Sequence, residues 1–186
     1  DFEDVSLGTS TARVRFSRQG QITVINHGPG GRGSQVCRSC GFAEPAPKRA
    51  PGQNAKHKSH ERTGFRGREC DSMLSNRHLG HQYLTDVAEI HLPIAMEWAP
   101  ARSTLHALLG ATYALGITRG AVNGTLRASG DSAAPSLVLF DAVPGGAGHA
   151  RRIVAQFEEL ARAAQALVAG CECGEDSSCY ACLRTY

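Results

Sequence analysis

The stretch SLVLFDAVPGGAGHARRIVAQF, Ser136 to Phe157, decides the fold class. Ser136-Leu137-Val138-Leu139-Phe140-Asp141 is a short apolar run closed by turn residues, the pattern of a buried strand. Pro144-Gly145-Gly146-Ala147-Gly148 interrupts the chain, and a helical run follows to about Val168, with Ile153, Phe157, Leu160, Ala164 and Leu167 as its inward stripe. Strand, glycine loop and helix in succession point to an α+β or α/β domain with a mixed sheet and a long C-terminal helix. Upstream, Ser103 is expected to cap one core helix in which Leu105, Leu108, Leu109, Thr112 and Leu115 recur at helical spacing, with Gly116 as its stop. Tyr83, Val87 and Ile90 read as a strand ending at Pro93. Thr11 to Asn26 alternates, Val14 and Phe16 on one face and Arg13 and Arg15 on the other, and Ser17 to Gly20 is expected to turn it into a hairpin.

The chain has 186 residues, 41% hydrophobic and 20% charged, enough to bury a core and too apolar for disorder throughout. No apolar run approaches the roughly 20 residues of a membrane helix. Asp1 to Ser10 carries no basic-plus-apolar leader, so a cytoplasmic location is expected. The absence of an initiating Met and the stop just after a cysteine motif read as an excised piece of a longer chain. The net charge of +3 is uneven: residues 1–70 hold 12 Lys/Arg against 6 Asp/Glu, and residues 71–186 hold 8 against 11. A basic half suits a polyanion such as DNA. The expected organisation is a basic hairpin and zinc-knuckle region over 1–81, an α/β core over 82–170 and a four-cysteine cluster over 171–186.

Seven cysteines, an odd number gathered in short pairs, favour metal ligation over a disulfide framework. Cys171, Cys173, Cys179 and Cys182 supply four thiolates within twelve residues, enough to close a tetrahedral shell around Zn²⁺. The residues between them are too polar to form a core. A redox pair at Cys179 and Cys182, or an iron–sulfur cluster, are the competing uses. Cys37 and Cys40, followed by Gly41, have the shape of a zinc knuckle, and Cys70 lies 30 residues further on. His57, His60, His78 and His81 are the candidates for a fourth ligand. His60 is favoured because it leaves nine residues to wrap the metal before Cys70. Two zinc sites are therefore expected.

Phosphate contacts are expected from Arg13, Arg15 and Arg18 and from the basic loop Lys48 to Arg68, with Arg151 and Arg152 beside the glycine loop. That loop has the position of a phosphate cradle but neither a Walker A nor a dinucleotide fingerprint. Asp86 and Asp141 could form a metal-dependent carboxylate pair. No nucleophile–base arrangement can be assigned, and no catalytic residue is expected.

The motifs Cys37-Arg38-Ser39-Cys40-Gly41, Leu79-Gly80-His81, Thr85-Asp86-Val87, Phe140 to Gly148, Cys171-Glu172-Cys173 and Cys179-Tyr180-Ala181-Cys182-Leu183-Arg184-Thr185-Tyr186 form an ordered series. It resembles the zinc-binding C-terminal domain of large bacterial DEAD/DEAH-box helicases, which also occurs in MrfA-type repair helicases and in a DISARM phage-defence component. The resemblance implies zinc on Cys171, Cys173, Cys179 and Cys182. It also implies a non-catalytic role beside the ATP-dependent superfamily 2 motor domains of the same chain or of a partner, on DNA, in repair or defence. The rival expectation is a protein–protein docking scaffold that never touches DNA.

Overall fold

The computed structural model describes residues 1–46, 56–59, 67–128, 134–174, 177–179 and 182–183. In them the chain runs β1 (Glu3–Leu7), β2 (Ser10–Asn26), β3 (Ser34–Cys37), β4 (Ala43–Pro45), β5 (His57–Lys58), β6 (Glu69–Cys70), β7 (Leu74–Arg77) and β8 (Leu79–His91). There follow α1 (Trp98–Ala111), β9 (Val122–Arg127), β10 (Ser136–Asp141), α2 (His149–Ala155) and α3 (Phe157–Ala169). The chain divides into two units, residues 1–22 with 83–186, and residues 23–82. Residues 1–22, expected to belong with the knuckle region, group instead with the core.

Unit 1 is α+β. Its five-stranded sheet has the order β1-β2-β8-β10-β9. β1 pairs antiparallel with β2, and β10 antiparallel with both β8 and β9. Arg15 of β2 meets Glu89 of β8, while Gly20 lies against Thr85 and Val87, so that pair is antiparallel too. The sheet is thus antiparallel where a mixed one was expected, because no helix crosses over between neighbouring strands. One face is apolar: Ala12, Val14, Ala88, Ile90, Leu137 and Leu139 pack with Leu105, Leu108, Ile153, Phe157 and Leu160 of the helices. The other face carries Arg15, Glu89 and Arg127, while β10 is buried on both faces.

Three local expectations change. Ser17 to Gly20 does not turn: β2 runs straight through it, and the hairpin lies earlier, at Gly8 between β1 and β2. Gly20 serves close packing, since a Cβ there would stand 2.1 Å from Val87 Cγ2. Ser103 sits inside α1, its Oγ–H donating to Ala99 O, and the helix begins at Trp98. Pro100 conceals that start in the sequence but is tolerated in the first turn, where a backbone N–H has no helical partner. The long C-terminal helix is two, broken at Gln156 (φ −123°, ψ 31°), after which Glu158 and Glu159 favour a fresh N-terminus.

Unit 2 holds a three-stranded sheet, β4-β3-β7, and the β5–β6 hairpin. Its buried side chains are small or polar: Gln35, Cys37, Cys40, Ala46, His57 and Ser59. Such a set gives little hydrophobic stabilisation, so the unit needs another means of closure.

Candidate metal centres

Two hairpins of unit 2 each deliver two ligands. Cys37 ends β3, and the turn after it is tied by Gly41 N–H donating to Cys37 O at 3.0 Å and Cys37 N–H to Phe42 O at 2.9 Å, which brings Cys40 back beside Cys37. Opposite, β5 pairs with β6 so that His57 faces Cys70. The donor atoms of Cys37, Cys40, His57 and Cys70 all lie within 4.8 Å of one another. Cys37 and Cys70 Sγ are 3.9 Å apart, and Cys40 Sγ is 3.2 Å from His57 Nε2. A tetrahedral Zn²⁺ with Zn–S of about 2.3 Å and Zn–N of about 2.0 Å has S···S edges of about 3.8 Å and S···N edges of about 3.5 Å, so the donor set fits. Burial alone would raise the Cys37 thiol, but hydrogen bonds from the backbone at Cys40 and Ser39 and from the thiols of Cys40 and Cys70 bring it below its ordinary value. The fourth member is therefore His57; the favoured His60 lies outside the described residues. The signal for His57 was the pairing of two two-residue strands, too short to read from periodicity.

The second group follows α3. Sγ separations are 3.3 Å for Cys171–Cys173, 3.4 Å for Cys171–Cys179, 3.6 Å for Cys173–Cys182 and 3.9 Å for Cys179–Cys182, near the edges of a Zn(Cys)₄ tetrahedron. Cys179 N–H donates to Cys182 Sγ at 3.3 Å. That backbone donor, aided by the Cys171 and Cys173 thiols, pulls the Cys182 thiol down to about 7. For Cys171 the backbone at Cys173 pulls down, but the side chains of Cys173, Cys179 and Cys182 prevail and push it up to about 12. Crowded sulfurs resist a second deprotonation, and a bound dication is what allows all four to ionise. No disulfide joins any of the seven cysteines. Among the described residues these are the two groups that could hold a metal ion. Each supplies four protein donors and leaves no open position for a substrate, the form of a structural zinc site.

The strand-end carboxylates are placed side by side. The β8–β10 register pairs Phe140 with Val87, and one step on sets Asp141 beside Asp86. Asp141, fully buried, accepts from the backbone N–H of Ala147, of His149 at 3.1 Å and of Ala150 at 2.8 Å. The glycine loop thus spends these donors on a carboxylate of its own chain, where a phosphate cradle would leave them free. Asp86 lies against Gly146, and its Oδ1 is buried without a partner among the described residues. Of the expected phosphate contacts, Arg13 and Arg15 stand over the Phe2 ring, at 5.5 and 4.6 Å from its centroid, and Arg15 also pairs with Glu89. Arg152 donates to Leu115 O at 3.0 Å, while Arg18 and Arg151 are exposed. Residues 47–55 and 60–66 of the basic loop lie outside the described residues.

Residues 104–183 match the MrfA Zn-binding domain. The matched segment lies within unit 1 and contains the second cysteine group, while Cys37, Cys40, His57 and Cys70 lie outside it. Over its whole length the chain is 26% identical to the Druantia protein DruE of Escherichia coli (strain UMEA 4076-1) and covers 12% of that protein. Among solved structures it is similar to the DUF1998 helicase MrfA bound to DNA, at 18% identity and a TM-score of 0.46, over 100% of this chain and 21% of that one. It is also similar to the same helicase bound to DNA and AMPPNP, at 14% identity and a TM-score of 0.42, over 98% and 25%. The chain thus spans a small part of each relative. No helix among the described residues is long and apolar enough to cross a membrane.

Proposed function

We propose that this chain is a non-catalytic, zinc-organised accessory module of an ATP-dependent superfamily 2 helicase, and that it helps hold DNA. The observation that carries the reading is where the positive charge lies. Residues 23–82, the unit built around Cys37, Cys40, His57 and Cys70, hold 10 Lys/Arg against 4 Asp/Glu, whereas unit 1 holds 10 against 13. A small unit with few apolar side chains, closed by a metal and strongly basic, is suited to gripping phosphates. Arg38 in the knuckle, Lys58 and Arg77 are exposed in it. Arg18 remains a contact in this reading, and Arg151 a secondary one. Arg13, Arg15 and Arg152, though counted among the expected contacts, first serve the fold. Cysteines gathered as metal ligands and not as disulfides agree with a reducing cytoplasm, and DNA repair or phage defence is the proposed setting.

Fluorescence anisotropy of labelled DNA against salt tests this. The zinc-loaded protein should bind without sequence preference, with log affinity falling linearly in log salt, and Arg38→Glu with Lys58→Glu should lower affinity and flatten the slope by about one per lost phosphate contact. Wild-type affinity and slope in that variant, with zinc content intact, would assign the grip elsewhere. No binding even at low salt would favour the docking scaffold.

A further inference from the structure

Within unit 1 a cleft of about 920 Å³ lies where α1 faces the second cysteine group. Trp98, Arg102 and His106, spaced four apart and so on one side of α1, all line it. Trp98 is 47% exposed, an unusual cost for an indole that the core does not use. Arg102 is exposed and makes no ion pair among the described residues, and none of the described lining residues is acidic. His106 Nδ1 is buried with no hydrogen-bond partner among the described residues. Val168 and Leu183 add apolar wall, and Ser177 and Ser178 line the cleft beside the cysteines.

We infer that this cleft seats one unstacked base of single-stranded nucleic acid, with Trp98 as the stacking platform and Arg102 holding the adjoining phosphate. The inference rests on the nucleic-acid reading above and narrows it to strand type. A flat aromatic face beside an unpaired guanidinium matches the two halves of a nucleotide, and the sequence-tolerant grip of single strands combines the same two elements. Duplex DNA does not satisfy the cleft, because its base faces are covered by neighbouring pairs. Four thiolates around one dication keep net negative charge, so the phosphate lies on the Arg102 side and the base nearer the sulfurs. His106 is placed to meet the base edge.

Trp98 is the sole tryptophan, so its emission reports this cleft alone. The zinc-loaded chain is titrated with an oligothymidylate and with a blunt duplex of the same length, while anisotropy of the labelled DNA reports binding independently. Quenching of Trp98 by the oligothymidylate, in step with anisotropy and absent with the duplex, is the expected result. Trp98→Leu should weaken oligothymidylate binding by about 5- to 100-fold and Trp98→Phe by less, with duplex affinity and zinc content unchanged. Anisotropy that reports binding while Trp98 emission stays constant, or responds equally to duplex, overturns the seat and leaves the DNA-holding function standing. A chain that binds neither DNA at low salt overturns both.

Discussion

Glu89 shows how one side chain can tie four strands. From β8 it accepts from Arg127 of β9 at 3.3 Å and from Ser136 of β10 at 3.3 Å, pairs with Arg15 of β2, and meets His91 at 3.1 Å. Burial alone would raise its carboxyl, but the Arg15 hydrogen bond, the His91 hydrogen bond and the charges of Arg15 and Arg127 together hold it below the ordinary 4.5. A carboxylate with a lowered folded-state value adds stability that is complete above the unfolded value and fades as pH falls through the folded one. Taking the pH from about 5 to about 3 should therefore cost the wild type more stability than Glu89→Gln. At neutral pH Glu89→Ala should lower the unfolding free energy by about 2 kcal/mol, a moderate figure because both arginines are partly solvated. Urea midpoints at the two pH values check both statements. Equal acid sensitivity in wild type and Glu89→Gln would remove the carboxylate from the account. Alternation placed Arg15 on the polar face in the sequence, but it does not say what a residue faces across the strands, and so the pair with Glu89 was not foreseen.

At the scale of elements, the glycine loop shows a carboxylate doing from within what a bound anion does from outside. Asp141 satisfies three backbone N–H groups of the turn and first residues of α2. Asp141→Ala strands those donors in a buried place and should cost about 2–4 kcal/mol, with Asp141→Asn recovering part through its one remaining carbonyl oxygen. Thermal unfolding reads the difference, and an Asp141→Ala protein as stable as wild type would mean that water serves the turn equally well. Strand β10 and the inward stripe through Ile153, Phe157, Leu160 and Ala164 were legible because burial on both faces and helical spacing write themselves into composition. The pieces that were not legible depend on partners far away in sequence. Strand β9 has Asn123 and Gly124 at its centre, and Gly124 makes sense only once Leu105 and Leu109 of α1 press on it. Gly20 resembles a turn residue until Val87 is seen beside it.

For the whole molecule, the two cysteine groups carry unequal burdens. Unit 1 has a continuous apolar core, whereas unit 2 relies on Cys37, Cys40, His57 and Cys70 for closure. Elemental analysis should find two zinc per chain, falling to one in Cys40→Ser and to one in Cys179→Ser/Cys182→Ser. Hydrogen exchange should distinguish the two losses. Cys40→Ser should release amide protection over β3, β5, β6 and β7 while β8 to β10 keep theirs, since metal-binding energy is folding energy in a unit with so small a core. Protection retained in unit 2 without its metal would show that its strands suffice. The cysteines of both groups were visible in the sequence because thiolate pairs at short spacing have few other uses. The histidine was visible only as one of four candidates, because its place is fixed by a hairpin two residues wide.

Unit 2 occupies residues 23–82, and the chain leaves and rejoins unit 1 on β2 and β8, neighbours in one sheet. An insertion whose two ends are held side by side by strand pairing can grow, shrink or change sequence with only a slow, logarithmic rise in the entropy of closing it. The strand register beneath is indifferent to what is inserted. Such an arrangement frees the metal-closed, basic insert to diversify toward new targets while the helix-covered sheet that bears it is inherited unchanged.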